Sequence, residues 1–310
     1  MSFEKLVEDH HKLEFSGNVK MVAQQMQNPI RNAVTIVPAT GEAQDAADLI
    51  GKLEYEEGED RSRRNPENVP NRSRRWLVRP TVIETGQYLD KEDKFDAAMD
   101  PTSPLFRNHV LAVERGVQDR ILGVRRNKST GKFEISGSGV FGTASEGKRG
   151  GTKKTLPAAN YVPHASAGLT TEKLRAAAEA MELEDFGFEG DMGIYCAISP
   201  KQKTDLLNLA LATKTQLNQF DLKQIETGKP TTLLGITWIF TNRLPYNADG
   251  QRLLPMWTKD NIVCGMWQDV QGRIWNDGSA KNLPYIYADA YPDAVRIEDI
   301  GVRIIECVES

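Results

Sequence analysis

Apolar residues recur as Phe106, Val110, Val113, Val117, Ile121 and Val124, at spacings of 4, 3, 4, 4 and 3. That is one stripe on a long helix, with Arg107, Asn108, Glu114, Arg115, Gln118 and Asp119 on the opposite face. The preceding Asp100-Pro101-Thr102-Ser103-Pro104 ends one element and starts the next, because Ser103 suits an N-cap and Pro104 a first helical position. A second helix is predicted from Thr171 to Phe186, with Leu174, Ala177, Ala178 and Met181 on one face and Gly187 as its stop. A third follows Ser199-Pro200 and carries Leu206, Leu207, Ala210 and Leu211. Apolar runs at 192–199, 231–241 and 261–268 predict strands, and 294–310 reads as a closing strand pair. Turns are predicted at 246–251, at Gln271-Gly272 and at Asn276-Asp277-Gly278. Residues 126–168, rich in Gly, Ser, Lys and Thr, predict short strands and turns. Residues 1–45 are weakly periodic, broken by Pro29 and Pro38, and predict an extended arm that forms no core alone. Strands and helices alternate irregularly, which favours an α+β fold over a doubly wound parallel sheet.

Charge changes the picture in one place. Residues 1–60 carry 12 acids and 5 bases, whereas 61–80 carry 7 arginines and one acid. The acidic block contains Glu56, Glu57, Glu59 and Asp60. Arg61, Arg63 and Arg64 follow it directly, and Arg72, Arg74 and Arg75 repeat the Arg-Ser-Arg-Arg pattern after a turn-forming cluster of Pro and Asn. Apolar stretches flank this region at 50–55 and 76–83, the pattern of a long β-hairpin with a charged, projecting tip. So little apolar content cannot hold a hairpin together in water by itself. Guanidinium forks suit carboxylates or phosphates. Three readings follow: contact with acidic surface on a neighbouring copy, contact with nucleic acid, or a solvated hairpin. The first is favoured by the adjacent acidic block. It predicts that Glu at positions 72, 74 and 75 leaves a folded subunit but blocks assembly.

Composition excludes more than it selects. The chain has 310 residues, 39% hydrophobic and 26% charged, with net charge −4. This is a folded composition without the overall basic field of a nucleic-acid binder. No apolar run reaches the ~18–20 residues that span a bilayer, and the N-terminus lacks a signal peptide's apolar stretch, so a reducing cytoplasm is expected. Cys196, Cys264 and Cys307 are far apart inside apolar runs, which argues for small buried residues over disulfides or zinc. His10, His11, His109 and His164 show no metal-ligand spacing. Gly142, Gly147 and Lys148 begin a phosphate-loop pattern, but Arg149 stands where the magnesium-binding hydroxyl belongs. Two further glycines and Pro157 oppose the helix that such a loop must open, leaving a Gly/Lys loop as the better reading. No catalytic, cofactor or metal site is expected.

The order of pieces resembles the major capsid proteins of tailed double-stranded DNA bacteriophages, with the Hong Kong 97-type fold. Residues 74–86 look like the return strand of that family's extended loop, and 100–123 like the start of its long spine helix. Residues 141–147 and 169–181 look like the segments that follow, and 294–310 like the closing strand. The resemblance implies an N-terminal arm (1–45), an extended β-hairpin loop (46–85) and a peripheral domain with the spine helix (86–188). It further implies an axial domain (189–289) and a C-terminal strand returning to the peripheral domain (290–310). It implies a non-enzymatic subunit that forms homo-pentamers and homo-hexamers of an icosahedral shell around the phage genome. Implied partners are scaffold, portal and a cement or decoration protein, with non-specific proximity to packaged double-stranded DNA and no membrane. The implied location is the virion, after synthesis in the bacterial host cytoplasm. A cellular nanocompartment shell of the same fold, enclosing a cargo enzyme, is the alternative. Some family members weld their shells through a loop lysine; no lysine lies between Lys52 and Lys91 here, and arginine is not a usable nucleophile. Inter-subunit contact is therefore expected from Glu56, Glu57, Glu59, Asp60, Arg61, Arg63, Arg64, Arg72, Arg74 and Arg75.

Overall fold

A computed structural model describes residues 28–53, 69–89, 102–186, 193–212, 232–233 and 235–309. In chain order the elements are β1 (Thr35–Pro38), β2 (Ala43–Ile50), β3 (Arg72–Val78), β4 (Ile83–Tyr88) and α1 (Thr102–Leu122). There follow β5 (Val124–Arg126), β6 (Phe133–Ile135), β7 (Ala144–Glu146), β8 (Thr152–Lys154), β9 (Tyr161–Val162) and α2 (Thr171–Glu182). The remainder is β10 (Ile194–Ile198), α3 (Pro200–Ala212), β11 (Thr232–Leu233), β12 (Ile236–Phe240), β13 (Arg252–Thr258), β14 (Ile262–Asp277), β15 (Leu283–Arg296) and β16 (Val302–Cys307).

Two sheets organise the chain. One has the order β1-β14-β15-β4 and carries α1 on one face. The other has the order β11-β12-β10-β13-β16-β9, with α2 against β16. The stripe on α1 does what its spacing predicts: Val113, Val117 and Ile121 are buried in the main core. Two glycines let α1 lie close to its sheet. A Cβ on Gly272 would stand 2.3 Å from Phe106 Cζ, and one on Gly116 would stand 2.5 Å from Ile83 Cγ2. Gln271-Gly272 is thus not a turn. Both residues lie inside β14, which runs on to Asp277 before the turn into β15. Helix α2 begins as expected, Thr170 Oγ1 accepting from the Lys173 amide at 3.3 Å, but ends at Glu182.

Three other expectations differ from the structure. The run 231–241 is not one strand: Gly235 takes φ +72° and folds β11 back onto β12 as a tight antiparallel pair. The segment assigned to an arm is core from residue 28 onward. Ile30, Ala33 and Val34 are buried, Trp257 Nε1 donates to the Ala33 carbonyl at 2.8 Å, and β1 pairs in parallel with β14. Finally, β15 and β16 are not a strand pair, and β16 does not return to the layer of α1. It pairs with β13 on one side and β9 on the other. Val302, Ile304 and Ile305 are all buried, as befits a strand covered on both faces.

Candidate assembly surface

The predicted hairpin exists. Strands β2 and β3 pair antiparallel from Ala43↔Val78 to Ile50↔Arg72, and the Gly51 amide extends the ladder to the Asn71 carbonyl at 2.7 Å. Its root is tied down. Leu77 is buried against Ala144, Val263 and Val295. The Val78 amide donates to Asp293 Oδ2 at 3.0 Å, and Ser138 Oγ donates to the other oxygen of that carboxylate. Arg75 is only 4% exposed. Its Nε donates to the Ile297 carbonyl at 2.7 Å, and its fork meets Glu146 and, at 3.7 Å, Asp299.

That contact opens into a wider network. The fully buried Arg296 donates to Asp299 Oδ1 at 2.6 Å, to the Lys154 carbonyl at 2.8 Å and to the Gly142 carbonyl. Lys154 Nζ reaches Asp299 Oδ2 at 3.0 Å. Burial opposes ionisation of Asp299, but the bonds from Arg296 and Lys154 outweigh it and hold this carboxyl below its ordinary value. Burial pulls the Arg75 guanidinium below its ordinary value, against the attraction of Asp299. At Asp293 burial wins, and its pKa is raised despite the bonds from Ser138 and Val78.

Above the root the hairpin leaves the protein's surface. Arg74 faces the other way from Arg75, as alternate strand residues must. It is exposed, forks onto Asp48 and lies 5.5 Å from the Trp76 ring centroid. Arg72 is exposed at the outer end of β3. So are Ile50, Leu53 and Val69, at 66%, 59% and 80%. The six remaining expected contact residues on the acid-to-arginine junction, Glu56, Glu57, Glu59, Asp60, Arg61 and Arg63, lie outside the described residues, as does Arg64. Of the ten, the described chain therefore separates three by role: Arg75 inside, Arg74 along the hairpin, Arg72 outside. Arg75 is not available to a neighbour, so Glu at all three positions would disturb the subunit itself and cannot report on assembly alone. Glu146, Lys154, Asp293, Arg296 and Asp299 were missed from sequence. Their signal is a charged residue set inside an apolar run, as in 294–300.

The architecture has known counterparts. The capsid of cyanophage P-SCSP1u is similar with a TM-score of 0.65 at 12% identity, over 96% of this chain and 92% of that one. A structure of Mycobacterium phage Che8 gives 0.64 at 11% identity, over 94% and 96%. The capsid of Ralstonia phage GP4 gives 0.63 at 12%, over 96% of both chains. At such identities the likeness shows the fold, which is the Hong Kong 97-type. No curated relative matches the chain. Residues 7–309 match the family of phage capsid proteins. The chain belongs to that family.

In this capsid protein the reactive residue types have structural surroundings. Cys196, Cys264 and Cys307 are buried free thiols, and burial pushes Cys264 and Cys307 up to about 12 and Cys196 higher still. His109 Nδ1 stands 3.0 Å from Thr85 Oγ1, and burial lowers its pKa. His164 Nδ1 accepts from the Ser166 amide at 2.9 Å. His10 and His11 lie outside the described residues. Residues 148–150 form a single 3₁₀ turn leading into β8, so the Gly142–Lys148 loop opens no helix toward a phosphate.

Proposed function

We propose that this capsid protein assembles with copies of itself, as pentamers and hexamers, into a closed icosahedral shell around packaged double-stranded DNA. One observation carries the reading. The β2–β3 hairpin is locked at its root by buried ion pairs, yet its outer end leaves Ile50, Leu53, Val69 and Arg72 in water. A lone subunit gains nothing from such an arm; a neighbour that covers it completes its burial. Arg72 and the charged residues at 56–64 are then the inter-subunit contacts. Each exposed ion pair contributes only ~0–1 kcal/mol, but closed symmetry repeats it at every interface.

The α1-bearing sheet, including β14 and β15, is assigned to the peripheral part of the tile. The layer built on β10, β12 and β13 is assigned to the part around the local five- and six-fold axes. Scaffold, portal and a cement or decoration protein are the further partners, the role is structural with no catalysis or cofactor, and synthesis takes place in the host cytoplasm. The match to phage capsid proteins favours this shell over a cellular nanocompartment.

Expression of the full chain followed by negative-stain electron microscopy and sedimentation tests the proposal. Closed particles of uniform size are expected. A chain that stays monomeric at high concentration, alone and with the scaffold encoded beside it, would overturn it.

A further inference from the structure

The sheet face turned away from α1 has no explained partner. Ile286, Ala288 and Ala290 point inward to the core, so Tyr285, Tyr287 and Asp289 point outward. Trp275 lies opposite Tyr285, and Tyr88 opposite it on the other side. Four rings are contiguous there: centroids are 4.5 Å apart for Tyr88–Tyr285, 5.1 Å for Trp275–Tyr285 and 6.3 Å for Tyr285–Tyr287. Tyr285 lies flat over Gly86, where an added Cβ would stand 2.2 Å from its hydroxyl. Trp275 and Tyr88 remain exposed.

The same face is acidic. Glu84 and Asp289 stand directly opposite each other on β4 and β15, an unfavourable pairing of like charges. Glu84 accepts from Tyr287 Oη at 2.6 Å, and Asp277 accepts from Tyr88 Oη at 2.8 Å. Asp289 is only 6% exposed, and among the described residues no donor reaches its Oδ1. Arg273 is the one base on this face and is turned to Gln271 Oε1 at 3.0 Å. A buried carboxylate oxygen without a donor is costly, and aromatic faces beside carboxylates suit a planar cation.

We infer that this face receives the arginine-rich hairpin of a second copy, guanidinium groups stacking on Tyr88, Trp275 and Tyr285 and pairing with Glu84 and Asp289. Charge complementarity within one sequence selects that occupant. The face carries three acids and one base, and residues 61–80 carry seven arginines against one acid. Arginine fits both halves of the site, because its fork is bidentate and its plane stacks. The inference rests on the hairpin role proposed above and names its acceptor.

A photoreactive benzoylphenylalanine in place of Tyr88 tests it in assembled particles. Irradiation is expected to give covalent multimers on a denaturing gel, with adducts mapping to residues 61–75 of another copy. Particles that form normally but yield adducts only within one chain, with 1–27, or with a different protein would overturn the acceptor while leaving the shell proposal intact. Failure of the unmodified chain to form particles would instead overturn the shell proposal. Independently, E84K is expected to cut particle yield at least tenfold with an unchanged far-ultraviolet spectrum of the subunit. The pair E84K and R72E in one chain is expected to recover part of it. Normal yield from E84K would count against the acceptor.

Discussion

Arg74 and Arg75 are adjacent and chemically identical, yet they do different work. Strand alternation turns Arg75 into the root and Arg74 toward Asp48. R75E would set an acid among Glu146 and Asp299 and leave their charges uncompensated. A loss of about 3–5 kcal/mol is expected, read by urea denaturation of the dissociated subunit. R72E is expected to stay within ~0.5 kcal/mol of the parent in the same assay, since its side chain is exposed. The network also sets a pH dependence. Asp299 is held below its ordinary value, so its stabilisation is complete above the unfolded value near ~3.9 and fades as pH falls through the lower folded one. D299N should therefore lower stability at neutral pH and flatten its fall below pH ~4. An unchanged acid limb in D299N would show that other carboxylates control it. The residue types at this root were visible in the sequence, but their partnership was not. Arg75 meets Glu146 and Asp299, which are remote along the chain, and only folding brings them together.

At the scale of elements, local rules worked where the element carries its own pattern. The stripe on α1 and the cap of α2 are intra-segment features, and both form as spaced. Glycine was harder to read, because one residue serves opposite ends. Gly235 makes a turn through its positive φ, whereas Gly272 sits in an extended strand and clears room for Phe106. G272V is expected to push α1 off its sheet and cost about 1–3 kcal/mol, seen as a lower melting temperature. Adding F106A should return part of that loss, since it removes the ring that the new side chain strikes. No recovery would mean that the strain lies elsewhere.

For the whole molecule, the hairpin separates folding from assembly. Its root belongs to the subunit core and its outer end does not. Replacing residues 52–70 by Asn-Gly joins Gly51 to Asn71, which already share a ladder bond, through a favoured two-residue turn. That variant is expected to melt within a few degrees of the parent and to form no closed particles by electron microscopy. Particles of normal size would remove the hairpin's outer end from any role in the shell.

The sequence by itself determined the α+β class, the long helix, the charged hairpin and the lack of catalytic spacing, and its ordered pieces already resembled a phage shell subunit. These are properties of periodicity and composition within short windows. Only the tertiary structure decided which arginine is buried, which sheet receives β16, and that residues from 28 onward are core. Those outcomes depend on pairings between distant segments. A strand's apolar run says that it will be covered, while the geometry of the packed chain chooses what covers it.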